Sequence, residues 1–266
     1  MLLYMERIRK KLWNVMQPLT HKPKVSGVPV SDLFIWRNSK DWKTFFELTD
    51  IGGLFVGCDD SVSRFVKFLV FDNDGTLLLE KQISLTCNKR QQIDLSKFLC
   101  NVGCEFGTFS VFHSCTPQVV SDLGSYISDR GYVSYCYMEA PLCAYVHGNH
   151  DAIAQLSNGE LLPLGGISIR TREYRLQHAL LSAALYETGI VNHSSKKQHI
   201  LCRVISTSNG EVIKEWKVRL GSRGCHIFPC EVNQSQAGRM VIISHLVMAR
   251  PLIFKIKNNK MDVFHG

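Results

Sequence analysis

The chain lacks the segments that mark several large classes of protein. No stretch approaches the roughly 18 uninterrupted apolar residues of a membrane-spanning helix. The first apolar run is broken by Glu6 and Arg7 before it reaches the length of a secretion signal. No glycine-rich phosphate loop is present. We therefore expect no integral membrane span and cytoplasmic residence. In that compartment the ten cysteines fit reduced thiols better than a disulfide framework, while their even number keeps disulfides open.

The formal net charge of +8 is unevenly distributed. Most of the excess lies in residues 1–25, and no basic stripe with interleaved aromatic platforms follows, so we expect no nucleic-acid partner. Residues 1–17 carry apolar side chains at helical spacing with basic side chains between them. This pattern predicts a short N-terminal helix that covers its own domain or makes peripheral membrane contact.

One β pattern recurs 135 positions further along the chain. Placing residues 54–95 over 189–230 puts Asp74-Gly75 on Asn209-Gly210, and apolar positions largely coincide. Such dipeptides between β-rich runs predict hairpins, because both residues tolerate the positive φ of a type I′ turn. In contrast, Asp41 to Leu48 is interpreted as a helical turn or short helix.

The recurrence predicts a mainly β protein of two related antiparallel β-sandwich domains in tandem. Val191 to Ser194, followed by a strand and a glycine turn, resembles what many immunoglobulin-like or fibronectin-like modules carry. We expect four segments: a basic amphipathic N-terminal segment (1–28), a first sandwich (29–155) with an insertion (114–136), a linker (156–173) and a second sandwich (174–266). Edge strands of such sheets also allow a homo-oligomer.

Two short strings resemble motifs of phosphate-processing enzymes. Phe68 to Leu77 resembles the first motif of haloacid-dehalogenase-type phosphatases, which implies Asp72 as nucleophile and Asp74 as general acid. The later acidic pair that holds magnesium in that family has no counterpart here. Gly148-Asn149-His150-Asp151 resembles one metal-binding motif of calcineurin-like metallophosphoesterases, whose other motifs are missing. We interpret both strings as turns in which Asn and Asp side chains hydrogen-bond the local backbone, with phosphatase activity as a minor alternative.

Histidines occur at corresponding places in the two halves. His113 and His245 end matching strands, and His147, His150 and Asp151 end the first half much as Asp262 and His265 end the second. Imidazole and carboxylate groups are good ligands for zinc or iron. His147, His150 and Asp151 are therefore a candidate metal site, although their spacing matches no specific signature.

Aromatic side chains form two further groups of candidates. If buried, their rings are part of the core, which is the usual place of large apolar groups. If exposed, the rings stack on sugars or anchor a protein interface. The candidate ligand-binding residues are Trp36, Trp42, Tyr132, Tyr135 and Tyr137.

Because no complete catalytic pattern appears, we expect a non-catalytic binding or assembly protein without a cofactor. Its ligand would be a glycan or a protein partner, held through loops at the ends of the sandwiches. The alternative is a metal-dependent enzyme that uses the His/Asp cluster.

Overall fold

The computed structural model describes residues 20–21, 25, 27–50, 53, 57, 63–86, 89–100, 102–114, 128–129, 131–138, 142–148, 152–181, 184–230, 237–247 and 250–266. Within these ranges no helix is long and apolar enough to cross a membrane. The segment 1–17, predicted as a helix, lies outside the described residues.

Alternation of apolar and polar residues makes most of the described chain β-structure. One 3-10 helix, Leu95–Lys97, follows Asp94, whose side chain caps it by accepting a hydrogen bond from Ser96 N. In chain order the strands are β1 (Thr20–His21), β2 (Val30–Ser31), β3 (Phe34–Arg37), β4 (Trp42–Leu48), β5 (Phe65–Asp72), β6 (Leu77–Ser84), β7 (Gln91–Asp94), β8 (Phe106–His113), β9 (Ser128–Asp129), β10 (Tyr132–Tyr137), β11 (Ala144–His147), β12 (Ile153–Gln155), β13 (Leu161–Pro163), β14 (Ile167–Arg175), β15 (Leu180–Leu181), β16 (Leu185–Val191), β17 (Gln198–Ser206), β18 (Val212–Leu220), β19 (Cys225–Cys230), β20 (Ala237–Leu246), β21 (Leu252–Lys257) and β22 (Lys260–His265).

The described strands form five small sheets. Sheet I has the order β3-β8-β5-β6, sheet II β11-β10-β4-β7 and sheet III β13-β12-β2-β9. Sheet IV has the order β1-β14-β20-β17-β18, with β15 beside β20, and sheet V has the order β19-β16-β21-β22. The pairings are antiparallel except for β2 with β9, which is parallel.

The prediction of two tandem immunoglobulin-like β-sandwiches with an N-terminal helix is wrong. The described chain forms five sheets, and sheet III has no counterpart in the predicted plan. The predicted halves are also not self-contained, since Phe254, Ile256 and Val263 of sheet V lie in the main core of sheets I and II. Strand β1, near the start of the chain, pairs with β14. Packing across the predicted boundary therefore excludes two separate domains in tandem.

The predicted boundaries fall on ordered strands. Residues 156–173, expected to form a linker, contain β13 and most of β14. The expected insertion, 114–136, includes β9 and the greater part of β10, and its residues 115–127 lie outside the described part. Glycine and proline thus mark bends between strands here rather than a flexible connection.

The two predicted hairpins are confirmed. They are β5–β6 and β17–β18, which occupy corresponding edge positions in sheets I and IV. The type I′ assignment is wrong, because only Gly75 and Gly210 have positive φ in these turns. In the first turn Gly75 N donates to Asp72 O and Asp72 N donates to Thr76 O. This is a longer loop that ends in a left-handed glycine.

The segment from Asp41 to Leu48, predicted to be helical, is strand β4 instead. Its buried residues Trp42, Thr44, Phe46 and Leu48 follow a period of two. The cluster of large aromatic rings obscured this alternation in the sequence, and pairing with β10 and β7 decides the conformation. Buried rings of β4 then join those of sheet I in the main core, where the Phe46 and Phe109 centroids are 5.6 Å apart.

The two hairpin glycines provide a matched test of tertiary contact. Gly75 and Gly210 have φ values of +87° and +74°, so alanine strains both turns by about 1 kcal/mol. A Cβ at Gly75 would also overlap Ser222 O, whereas nothing lies within 4 Å of a Cβ at Gly210. We expect Gly75→Ala to lower the free energy of unfolding by about 3 kcal/mol and Gly210→Ala by about 1 kcal/mol in urea titrations. Equal losses would contradict the close contact at Gly75.

Candidate functional site

Two of the five candidate aromatic residues are structural. Trp36 is fully buried, and its Nε1 donates a hydrogen bond to Phe71 O at 2.9 Å. Tyr135 is also fully buried, and its hydroxyl donates to Ile35 O at 2.8 Å. Burial raises the pKa of Tyr135. Both rings occupy the core, so neither offers a surface to a ligand.

Trp42 and Tyr137 line a groove of about 330 Å³, but the face of the indole is already covered. The Arg37 guanidinium lies 3.4 Å from the centre of the Trp42 ring. Arg37 Nη1 also pairs with Glu187 Oε2, at 2.5 Å. Burial lowers the pKa of Arg37, while the charge of Glu187 opposes this shift. The cation thus occupies the place where a sugar ring would stack on Trp42.

Tyr132 is the candidate aromatic residue that reaches solvent. Its side chain is 51% exposed and lies on the outer face of sheet II, opposite His147 in the β10–β11 register. The two rings meet edge to face with their centroids 6.4 Å apart. Tyr145 is 48% exposed on the same strand as His147, and its register partner is Ser134. The structure therefore joins one predicted ligand-binding residue to one predicted metal ligand.

His147 ends β11, while His150 and Asp151 lie outside the described residues. Within the described ranges no three His, Cys, Asp or Glu side chains are grouped so that they could hold a metal ion. His113 is buried at the end of β8, and His245 is exposed near the end of β20. These two histidines occupy corresponding strands but different environments.

A small cavity opens beside His147, where sheets I, II and V meet. Its volume is about 60 Å³, and its polar lining consists of Asp32, His147, His193, Arg250 and His265. Apolar side chains such as Val133, Ile190 and Leu252 form the remaining walls. Since a water molecule occupies about 30 Å³ in the liquid, the cavity admits a small polar group rather than a whole sugar or nucleotide.

Hydrogen bonds hold the histidines of the cavity in place. His265 Nε2 donates to His147 O at 3.0 Å, and the two imidazole rings lie 5.1 Å apart. His193 is almost fully buried, and its Nε2 donates to Val247 O at 3.1 Å. The first contact connects β11 of the first half to β22 of the second half, and the second joins the segment after β16 to the residue after β20.

Glycine permits the close approach that forms one wall of the cavity. A Cβ at Gly148 would overlap the carboxylate of Asp32, which is 4% exposed. Gly148 N donates to Gly131 O at 3.2 Å, so the backbone beyond β11 follows the start of β10. Glycine at position 148 therefore brings the His147 segment against Asp32.

Four polar residues of the cavity were not among the candidate site residues. The sequence did indicate His265, because it lies near the end of the second half as His147 lies near the end of the first. Asp32, His193 and Arg250 carried no such signal, because they come from separate segments that only tertiary packing brings together. No local spacing connects them.

The phosphatase-like carboxylates form part of a hairpin turn. Asp72 Oδ1 accepts hydrogen bonds from Asp74 N at 2.9 Å and Thr76 N at 2.8 Å. Gly221, which belongs to the β18–β19 loop, lies so close that a Cβ there would overlap Asp74 O. This geometry supports the interpretation that the Asp72 carboxylate stabilises the hairpin turn.

The cysteines are not all reduced. Cys136 and Cys143 form a disulfide that joins β10 to the segment before β11. Among the described cysteines, Cys100, Cys104, Cys202, Cys225 and Cys230 are free. The prediction of ten reduced thiols is therefore wrong for this pair.

No known protein family and no curated protein sequence matches the chain. Among solved structures it is similar to a beta-glucuronidase from glycoside hydrolase family 2, with 12% identity, 87% of this chain and 23% of that chain covered, and a TM-score of 0.19. It is also similar to the structure of infectious bursal disease virus Gt strain, with 9% identity and a TM-score of 0.16. That match covers 90% of this chain and 67% of the viral chain. The chain spans about a quarter of the glucuronidase chain. Likenesses at this level carry no argument about function.

The buried ion pair beneath the groove can be tested against an exposed pair. Glu187→Gln leaves the Arg37 charge buried without its partner, and we expect a loss of about 3 kcal/mol in the free energy of unfolding. The control is Glu215→Gln, which breaks the Arg203–Glu215 pair on the surface and should have no measurable effect. Urea denaturation at pH 7 measures both. Similar results for the two variants would show that Glu187 does not compensate Arg37.

Stability should depend on pH through His265. Burial, with the nearby charges of His147 and Arg250, lowers the pKa of His265, although its hydrogen bond to His147 O opposes the shift. Below the ordinary value of about 6.5 the unfolded chain therefore binds a proton that the folded chain does not. We expect the thermal midpoint to fall as pH decreases below about 6.5, with a smaller decrease in His265→Gln. If the thermal midpoint of His265→Gln depends on pH as steeply as that of the wild type, the effect belongs to other histidines.

Proposed function

We propose that the protein is a non-catalytic binding protein that holds a glycan at the mouth of the His147–His265 cavity. The observation that carries the proposal is the exposed Tyr132 ring, packed edge to face on His147 beside a cavity with polar groups. An exposed aromatic ring next to hydrogen-bonding side chains suits the apolar face and the hydroxyl groups of a sugar.

The size of the cavity supports a particular mode of binding. About 60 Å³ accommodates one small substituent of a sugar, so the ring itself would remain outside, against Tyr132. Asp32 accepts hydrogen bonds from hydroxyl groups, while Arg250 donates them. The disposition of donors and acceptors around one opening would therefore select the orientation of the sugar.

The metal-dependent enzyme is the second candidate. His147, His193 and His265 line one cavity with Asp32, and imidazole and carboxylate are ligands that zinc and iron take. Among the described residues, however, no three such side chains are grouped so that they could hold a metal ion. We favour the binding role for this reason, and because His265 Nε2 already donates its hydrogen bond to His147 O. Metal analysis of untagged protein by mass spectrometry separates the candidates, since about one zinc or iron per chain would support the enzyme.

The proposal also concerns the kind of partner that the protein binds and the compartment in which it resides. A glycan is preferred to a protein partner because the cavity is small and combines apolar walls with a few hydrogen-bonding side chains. Cytoplasmic residence stays a prediction, and the Cys136–Cys143 disulfide is the observation against it, since disulfides persist mainly in oxidising compartments. A homo-oligomer and peripheral membrane contact by residues 1–17 also stay predictions.

The two exposed tyrosines of sheet II give a matched test. Tyr132→Ala removes the ring beside His147, and we expect glycan affinity to fall about tenfold or more, because loss of a ring on which a ligand stacks costs roughly 1 to 3 kcal/mol. Tyr145→Ala removes a ring of similar exposure on the same face, 48% against 51%, and should leave affinity unchanged. A glycan array with the wild-type chain identifies the ligand, and calorimetry with that ligand compares the variants. Equal losses, or no glycan bound by the wild type, would refute the proposal.

A further inference from the structure

The outer face of sheet IV differs from its counterpart in sheet I. The strands β14-β20-β17-β18 have the same arrangement as β3-β8-β5-β6. In sheet I the centre of this face is apolar, and Leu69, Phe71 and Phe112 pack against Ala152 and Ile153 of the sheet III side. The Lys67–Glu80 ion pair lies beside them. The corresponding side chains of sheet IV are largely charged.

The register of sheet IV places these charges side by side. Arg203 of β17 faces Glu215 of β18 and Val241 of β20, and Val241 faces Arg175 of β14. In the next row Leu201 lies between Lys217 and Ile243, and in the row beyond it His199 faces Arg219. We name this surface the basic face. It consists of Glu173, Arg175, His199, Leu201, Arg203, Ile205, Glu215, Lys217, Arg219, Arg239, Val241 and Ile243.

Cations exceed carboxylates on the basic face. Glu173 pairs with Arg175, and Glu215 is shared by Arg203 at 2.7 Å and Lys217 at 3.4 Å. The Lys217 side chain is 78% exposed. Arg219, also exposed, forms no ion pair with any residue that the structure describes. Positive charge therefore remains available to a partner at the β18 edge.

We infer that the basic face binds an acidic polysaccharide. Neighbouring strands lie about 4.8 Å apart, so the four strands present a strip of cations on which an extended polyanion can lie. The carboxylates between the cations suit a chain that also carries hydroxyl groups, because Glu173 and Glu215 can accept hydrogen bonds from them. The basic face is separate from the His147–His265 cavity and from Tyr132. The inference therefore does not depend on the proposed function.

Other polyanions fit the basic face less well. No Phe, Tyr or Trp belongs to it, so unpaired nucleic-acid bases would find no ring on which to stack. Its apolar members are Leu201, Ile205, Val241 and Ile243, of which Val241 is buried and the other three are half-buried. A membrane would therefore meet charged side chains around a recessed centre, without the protruding apolar groups that anchor interfacial proteins.

Charge reversal at two exposed positions tests the inference. The probe is a polygalacturonate oligosaccharide, titrated into the full chain at low and at physiological salt. We expect Lys217→Glu with Arg219→Glu to weaken binding about tenfold or more, and the wild-type affinity to fall as salt rises. Lys257→Glu with Lys260→Glu changes the net charge equally at the exposed β21–β22 turn and should bind as the wild type does.

The remaining outcomes also decide the matter. If both double variants bind polygalacturonate equally weakly, the loss of affinity follows from net charge alone and the inference is overturned. So would failure of the wild type to bind polygalacturonate, or binding only to single-stranded DNA or to phosphatidylserine vesicles. Circular dichroism verifies that each variant is folded, and Tyr132→Ala should retain polygalacturonate binding because the cavity is a separate site.

Discussion

The backbone contact between the β5–β6 turn and the β18–β19 loop holds the two halves of the chain together. Asn73 O accepts a hydrogen bond from Cys225 N, and Thr108 Oγ1 donates one to Arg223 O at 2.6 Å. Glycine is required where the two turns meet, because a Cβ at Gly75 would overlap the opposite backbone. Close to this contact, Ile35 of β3 packs near Gly189 of β16 and Leu252 of β21. The cavity lies where these strands meet sheet II. A backbone interface of this kind has little freedom to slide, so the polar groups around the cavity keep their relative positions.

The same strand arrangement carries different surfaces in the two halves. In sheet I the apolar centre of the outer face forms a second, smaller core with the sheet III side. In sheet IV the equivalent face is charged and open among the described residues. A β-strand separates its two faces by alternation, so the outer residues can change without disturbing the buried ones. This independence allows one arrangement of strands to serve packing in one place and recognition in another.

Local signals predicted local structure well. The hairpins at Gly75 and Gly210 depend on residues adjacent in sequence, and both are present. Strand β4 was misassigned because its aromatic residues concealed a period of two that pairing with two neighbouring strands imposes. Among the candidate aromatic residues, Trp36 and Tyr135 are core and Tyr132 is exposed. Residue type alone could not separate them, because an aromatic ring suits both a core and a binding surface.

The sequence by itself determined the β character, the two hairpins and the correspondence between the ends of the halves at His147 and His265. These properties depend on alternation, turn residues and position along the chain. Only the tertiary structure decided that the halves share a core, that five sheets form, and that Asp32, His193 and Arg250 meet the two histidines around one cavity. The physical reason is that burial and contact between distant segments depend on how sheets pack, and many packings are compatible with one alternation pattern.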